Sequence, residues 1–361
     1  MDHTMQEMID WIEDHLLDDF SLASLGQQMG YSPYYCSFKF HQMTGITIKR
    51  YRSLRKMYLA SMELRETNQK TIDLAFKYGF LSQEAFARAF KETFGLSPNA
   101  FRKNPQPLQT YVKIDMNRRE GDYSMDISRK LKIEALQHQI QDAFDQVILN
   151  ILNGQMMYEQ FQRHQLMEKS DYVPFNEAMC SHETTAPIFS EEFIRLRASG
   201  HQVPLEEYRK ITVAPLKPLF ENRYKCIVLW FGDDMFCQIN LLTVLAYLEQ
   251  RGYDGKVYFH MVKESTYDVE ETEIRLEGYS DIYRQVLLHH RFPETPLMPV
   301  MYQGIRLFLE YVKEDNEITA FIKKHVGKPR EELLQRLFHL FPHYGLGDLQ
   351  YIRLIDNLKQ A

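Results

Sequence analysis

Tyr78-Gly79-Phe80-Leu81-Ser82-Gln83-Glu84-Ala85-Phe86-Ala87-Arg88-Ala89-Phe90-Lys91, closely followed by Gly95-Leu96-Ser97-Pro98-Asn99-Ala100-Phe101-Arg102, decides how the first part of this chain folds. The apolar positions before it predict a short helix from about Ile72 to Tyr78. Gly79 can take the left-handed conformation that ends a helix. Ser82 offers a hydroxyl to the free backbone N–H groups at the start of the next helix. That second helix is expected to run to about Thr93 and stop at Gly95. Phe86 and Phe90, four residues apart, fall on one face and are read as core, and Arg88 lies on the other.

The same pattern occurs earlier, at an offset of 49 to 50 residues. Leu25-Gly26-Gln27-Gln28-Met29-Gly30-Tyr31-Ser32 matches Leu74-Ala75-Phe76-Lys77-Tyr78-Gly79-Phe80 plus, after the inserted Leu81, Ser82. Phe40 then aligns with Phe90, Gly45 with Gly95, Tyr51 with Phe101 and Arg52 with Arg102. Two copies make a duplicated unit rather than a repeat array. Each copy reads as a helix-turn-helix, with helices at about Leu22 to Met29 and, opened by Pro33 in the first helical position, from there to about Met43. Between the copies, Ile48 to Glu66 has helical periodicity and is read as a connector helix.

The net charge of −6 argues weakly against nucleic-acid binding, but the charge is unevenly spread. Residues 1 to 31 hold seven acids and no Lys or Arg, whereas residues 32 to 103 hold thirteen Lys/Arg against five acids, a local net of +8. The remainder is net −7, so polyanion binding is assigned to the first hundred residues.

Together with Gly95 to Arg102, the motif Tyr78-Gly79-Phe80-x-Ser82-Gln83-x-x-Phe86-x-Arg88-x-Phe90-Lys91 resembles the signature of the AraC/XylS family of transcription regulators, over about residues 5 to 104. The resemblance implies a seven-helix DNA-binding domain whose two recognition helices enter successive major grooves of double-stranded DNA. It puts the base-facing positions at Tyr34, Ser37 and Phe38 in the first helix and at Gln83, Glu84, Ala87 and Arg88 in the second. Arg88 can pair with guanine O6 and N7, and Gln83 with adenine N6 and N7. Tyr34, Tyr35 and Phe38 depart from the more polar first helix common in the family, so apolar contact with thymine methyls, or phosphate contact through the phenols, replaces much of the hydrogen-bond readout there. Phosphate contacts, which position without reading sequence, are assigned to Tyr35, Lys39, Lys49, Arg50, Arg52, Lys56, Lys91 and Arg102, and to backbone N–H groups at the helix start near Thr71. Arg55 and Lys103 have the right sign too, and about half of this basic set is read as solvated charge.

Length predicts two domains. The boundary is placed at Asn104-Pro105-Gln106-Pro107, giving a reader over 1–105, a linker with connecting helices over 106–169 and an α/β domain over 170–361. Within the linker, 108 to 116 reads as a short strand, 118 to 126 as a loop, and Ile127 to about Gln165 as one or two helices. For these helices, a coiled-coil-like homodimer contact through Leu131, Ile133, Leu136, Ile140, Phe144, Val147 and Ile151 competes with packing on their own domain, the favoured reading.

Cys226-Ile227-Val228-Leu229-Trp230-Phe231 reads as a strand buried on both faces. Phe236 to Gln250 is then a helix and Lys256 to Val262 a second strand, which makes a β-α-β unit with a parallel sheet. The fold class is therefore multi-domain, an all-α double helix-turn-helix followed by an α/β domain. Pro174-Phe175-Asn176-Glu177-Ala178, the Leu229 to Leu242 stretch and Gly345-Leu346-Gly347-Asp348-Leu349-Gln350 resemble a bacterial α/β family of unknown function. A candidate effector site at the strands' carboxyl ends comprises Asn176, Glu177, Trp230, Asp233, Asp234, Gln238 and Asn240. Paired acids there fit metal or acid/base chemistry, but capping of the following helix by Asp233 or Asp234 is preferred. No phosphate-binding glycine motif, nucleophile elbow or metal-ligand spacing is present, so no cofactor, metal or catalytic residue is assigned.

The four cysteines lie too far apart for a disulfide framework, the amino terminus lacks a secretory pattern, and no apolar run spans a bilayer. The expectation is a cytoplasmic bacterial regulator, not an enzyme, with no membrane partner. It would bind DNA, engage RNA polymerase, and respond to a small-molecule or protein effector at its second domain. The alternatives are an enzyme tethered to DNA, with a carboxylate site near Asp233 and Asp234, and an interaction scaffold without a ligand.

Overall fold

The computed structural model describes residues 3–116, 127–145, 147–167, 169–221, 223–263 and 268–360. Two compact units are formed: one from Met1–Tyr123, Asp315–Pro342 and Leu346–Ala361, the other from Ser124–Glu314 and His343–Gly345.

The first unit opens with α1 (His3–Asp14), α2 (Leu22–Met29), α3 (Pro33–Thr44), α4 (Ile48–Glu66), α5 (Thr71–Lys77), α6 (Gln83–Phe94) and α7 (Pro98–Lys103). Local chemistry accounts for the two helix-turn-helix copies. Ser32 Oγ accepts from the Tyr35 N–H and Ser82 Oγ from the Ala85 N–H, both at 3.1 Å. At the other ends, Gly45 and Gly95 have φ of +71° and +85°, which a residue with a Cβ adopts only under strain. One core gathers Met5, Met8, Ile9, Ile12, Leu25, Phe40 and Tyr51. The other gathers Leu64, Leu74, Phe86, Phe90, Phe94 and Phe101.

The second unit continues with α8 (Ile127–Phe144), β1 (Ile148–Leu152), α9 (Gly154–Arg163), β2 (Asp171–Pro174), α10 (Glu191–His201), α11 (Leu205–Tyr208) and α12 (Lys217–Phe220). It then forms β3 (Cys226–Gly232), α13 (Met235–Gln250), β4 (Lys256–Lys263), β5 (Asp268–Ile274), α14 (Tyr279–Tyr283) and α15 (Pro299–Tyr311). The sheet order is β2-β1-β3-β4-β5, parallel except for β5. The expected β3-α13-β4 crossover and fully buried β3 are present. The chain ends in α16 (Glu317–His325), α17 (Arg330–Leu340) and α18 (Asp348–Gln360), which belong to the first unit. No helix of the described residues is long and apolar enough to cross a membrane.

Three expectations need correction. The segment 106–169 is not a linker, because Ile148–Leu152 is a central strand of the sheet and α8 buries Ile133 and Ile140 against that unit. Nor does the second unit reach residue 361, since the last helices cluster with the two helix-turn-helix copies. Residues 108 to 116 form no strand. Their backbone is held by side chains instead: Met116 N–H donates to Gln6 Oε1 at 2.8 Å, and Arg55 Nη1 donates to the Tyr111 carbonyl. The loop expected at 118 to 126 lies outside the described residues. Leu131, one of the positions considered for a dimer contact, is 60% exposed.

The two copies differ at one turn position. A Cβ on Gly26 would fall 2.6 Å from the Tyr31 carbonyl oxygen, and the second copy, whose turn has the additional Leu81, carries the buried Ala75 there. Gly26→Ala is therefore expected to destabilise the protein by about 1–3 kcal/mol in urea unfolding. The usual gain from placing Ala in a helix would contradict this account.

Candidate nucleic-acid interface and the polar cluster of the second unit

Helical spacing puts Cys36, Phe40 and Thr44 on the buried face of α3 and leaves the opposite face outward. Tyr34 is 80% exposed and Phe38 45%, with their rings 6.4 Å apart and nearly parallel at 11°. Tyr35 is exposed beside them and stacks obliquely on Tyr31, while Ser37 and Lys39 are half-buried. In α6, burial of Phe86, Phe90 and Phe94 turns Glu84, Arg88 and Lys91 to solvent, with Gln83 and Ala87 half-buried next to them. The Glu84 carboxyl is held below its ordinary value by its own backbone N–H and the Ser82 hydroxyl, so it also serves the helix start. The base-facing positions expected from sequence thus lie on the outward faces of two similarly capped helices.

Cations expected at phosphates divide into two groups. Lys49 and Arg50 are exposed. Lys49, Arg52 and Lys56 line, with Ser37, Gly79 and Phe80, a groove of about 380 Å³ that touches α3, the connector α4 and the second turn. Burial and the neighbouring Arg52 charge push the Lys56 ammonium below its ordinary pKa. Arg52, however, is also committed to the fold: its Nη2 donates to the Leu16 carbonyl at 3.1 Å, and its guanidinium stacks 4.1 Å from the Phe20 ring centre. Arg102 Nη2 donates to the Gln69 carbonyl, and the buried Thr71 hydroxyl donates to Asn99 Oδ1 at 2.9 Å. The side chains of Arg52, Thr71 and Arg102 thus each give a donor to an acceptor within the protein. Arg55 is buried against Glu13, with Nε–Oε1 and Nη2–Oε2 both 2.8 Å.

A helix-turn-helix domain family profile, HTH_18, matches residues 25–104. The multiple antibiotic resistance protein MarA of Salmonella typhimurium is 35% identical over 120 residues, which cover 33% of this chain and 93% of MarA. The chain belongs to the AraC/XylS family. It is a DNA-binding transcription regulator of the AraC type. The transcriptional activator AarP of Providencia stuartii is 36% identical over 98 residues, covering 27% of this chain and 73% of AarP. Among solved structures, the DNA-binding domain of AdpA, described in complex with a target DNA, is 23% identical; it covers 28% of this chain and 90% of its own, with a TM-score of 0.26.

In the second unit of this AraC/XylS-family regulator, most of the candidate effector residues are engaged internally. Asp234 caps α13, accepting from the Cys237 N–H at 2.8 Å. Desolvation pushes its carboxyl up to about 6 against the Cys237 hydrogen bonds, with the Asp233 charge adding to the rise. Gly345 lies so close to Asp234 that a side chain would not fit. Asn240 Nδ2 donates to Asn153 Oδ1 at 2.9 Å and to the Glu177 carbonyl at 2.8 Å, and Gln238 Nε2 donates to the Gly232 carbonyl at 2.7 Å. Asn176 Nδ2 donates to the Ile211 carbonyl at 3.1 Å. Trp230 does not join this group. It is buried with Phe161 and Ile133, and its Nε1–H donates to Asn150 Oδ1 at 2.9 Å.

Glu177 organises a cluster that sequence reading missed. Arg197 Nη2 and His201 Nε2 each lie 2.6 Å from Glu177 Oε1, and the Tyr208 hydroxyl donates to Oε2. Burial alone would raise the Glu177 carboxyl, but Arg197 and the hydrogen bonds hold it well below the carboxylate range. These partners come from α10 and α11, where nothing in the local pattern marks them as a set. Among the described residues, no group of three His, Cys, Asp or Glu is arranged to hold a metal ion.

Arg197→Met is expected to destabilise the chain by about 3–5 kcal/mol, because it strands a buried carboxylate. Adding Glu177→Leu should recover much of that loss in denaturant titrations. Asp234 gives a pH test. Its folded value exceeds the ordinary 3.8, so its contribution favours folding below about pH 4 and is lost as pH rises through about 6. Asp234→Asn, which keeps a good cap, should raise the unfolding temperature at pH 7.5, and the gain should vanish below pH 4.

Proposed function

We propose that the regulator reads DNA through α3 and α6, placed in successive major grooves, and that an effector or protein partner acting on the second unit modulates this. The carrying observation is the pair of Ser-capped helices whose outward faces hold Tyr34 and Phe38 in one case and Gln83, Glu84 and Arg88 in the other. Arg88 and Gln83 supply hydrogen-bond readout, whereas Tyr34 and Phe38 supply apolar contact with thymine methyls. Lys49, Arg50 and Lys91, with Lys56 in the groove between the copies, supply phosphate contacts.

Modulation is supported by chain order, since the second unit is inserted between the reader's first helices and its last three. A change of state there would act on segments joined to the reader at both ends. RNA polymerase and a second copy of the chain are the proposed macromolecular partners, and the cytoplasm is the proposed compartment. The non-enzymatic reading is preferred because Asp234 is used as a helix cap and Glu177 as an ion-pair partner.

Selection of duplexes from a random library with the full chain should yield a bipartite site. Arg88→Ala should relax preference at one position by about 1–3 kcal/mol. Lys49→Ala should weaken all duplexes alike and make the salt dependence shallower by about 0.9 in log–log slope. A site of one short half, or unchanged preference in Arg88→Ala, would refute the two-helix reading.

A further inference from the structure

The last three helices lie in the reader's own unit, and they meet it beside the first recognition helix. At the end of α3, a Cβ on Gly45 would sit 3.5 Å from Leu340 Cβ and 3.7 Å from the Phe341 ring. Leu337, Leu340 and Phe341 are buried, and His339 Nε2 lies 2.9 Å from Met116 Sδ. The helix α16 starts in a capping box between Asn316 and Thr319 and buries Ile318 and Ile322. Its opposite face therefore points outward, and there Lys324 Nζ lies 5.9 Å from the ring centre of Phe38.

Neighbouring cations are paired within the protein. Lys323 bonds Asp315 at 2.6 Å, Lys328 bonds Glu332 at 2.5 Å, and Arg330 bonds Asp356 at 2.7 Å. Arg336 bonds Glu332 at 2.9 Å. Lys324 is exposed and enters no ion pair among the described residues. Tyr34 and Phe38 remain outward-facing, so the carboxy-terminal helices border the reading face without closing it.

We propose that these helices extend the DNA-contacting surface, and that Lys324 neutralises a backbone phosphate at the edge of the major groove read by α3. A recognition helix in that groove is flanked by phosphates on both sides, and a cation beside its base-facing stripe meets one of them. The ammonium group suits this as a point charge on a long flexible stem. The inference rests on the reading of α3 as a recognition helix but adds a contact from outside the double helix-turn-helix.

The test uses the full chain and the duplex it selects from a random library, titrated between about 50 and 200 mM salt. Lys324→Gln should bind several-fold more weakly at the lowest salt, with a log–log slope shallower by about 0.9 and unaltered base preference. Lys324→Arg should restore both. Arg88→Ala is measured in parallel. Loss in Arg88→Ala with no change in Lys324→Gln overturns the proposal and leaves the recognition-helix reading standing. No change in either overturns both. Tighter binding by Lys324→Gln also overturns it, and would instead mark the carboxy-terminal helices as a brake on DNA binding.

Discussion

The reader depends on a buried fork between Glu13 and Arg55. Glu13 is on the acidic first helix and Arg55 on the connector, and both carboxylate oxygens accept from the guanidinium while Tyr51 donates to one of them at 2.6 Å. Burial works to raise the Glu13 carboxyl, yet these bonds leave it below its ordinary value. The third arm of Arg55 takes the Tyr111 carbonyl, which draws the segment after the second helix-turn-helix back onto the first. One side chain thus fixes α1, α4 and the chain leaving α7. Because α4 links the two helix-turn-helix copies, whatever holds it also sets where they stand. Breaking such a pair strands a charge away from water, a far larger loss than that of an exposed ion pair.

The same packing determines how much of the basic segment is left for DNA. Its excess of cations suggests a broad electrostatic surface, but Arg52, Arg55 and Arg102 also serve the fold, bonding carbonyls and a carboxylate and stacking on an aromatic ring. Arginine suits these tasks, having a planar array of donors that can satisfy several acceptors at once. The cations turned outward include Arg88 and Lys91 on α6 and Lys49 and Arg50 at the start of α4. Affinity would then come from a small number of phosphates and discrimination from the two outward helix faces.

In the second unit, the place where a parallel sheet commonly receives a ligand is occupied by its own polar side chains. Asn153 follows β1 and Asp234 follows β3; both bond Cys237, and Asn240 ties Asn153 to the Glu177 carbonyl. Nearby, Glu177 is satisfied by Arg197, His201 and Tyr208. Networks of this kind specify one packing, because each member left without its partner would be a buried polar group out of contact with water.

Helix limits set by caps were legible without any structure. The connector runs from Ile48 to Glu66 as periodicity indicates, and Ser32, Ser82, Gly45 and Gly95 bound α3 and α6, since a hydroxyl and a missing Cβ act on their immediate neighbours. The β3-α13-β4 crossover was legible for the same reason, a continuous apolar run followed by a helical period. The strand Ile148–Leu152 was not, because five residues of mostly apolar sequence fit a buried helix as well as a buried strand. Which charges are free was also beyond reach: Arg55 finds its carboxylate forty-two residues away and Glu177 its guanidinium twenty residues away. Composition and spacing alone determined that two capped helices lie in a basic region. Only tertiary packing decided which cations remain available and that the last three helices join the reader, because both depend on contacts between segments that chain order keeps apart.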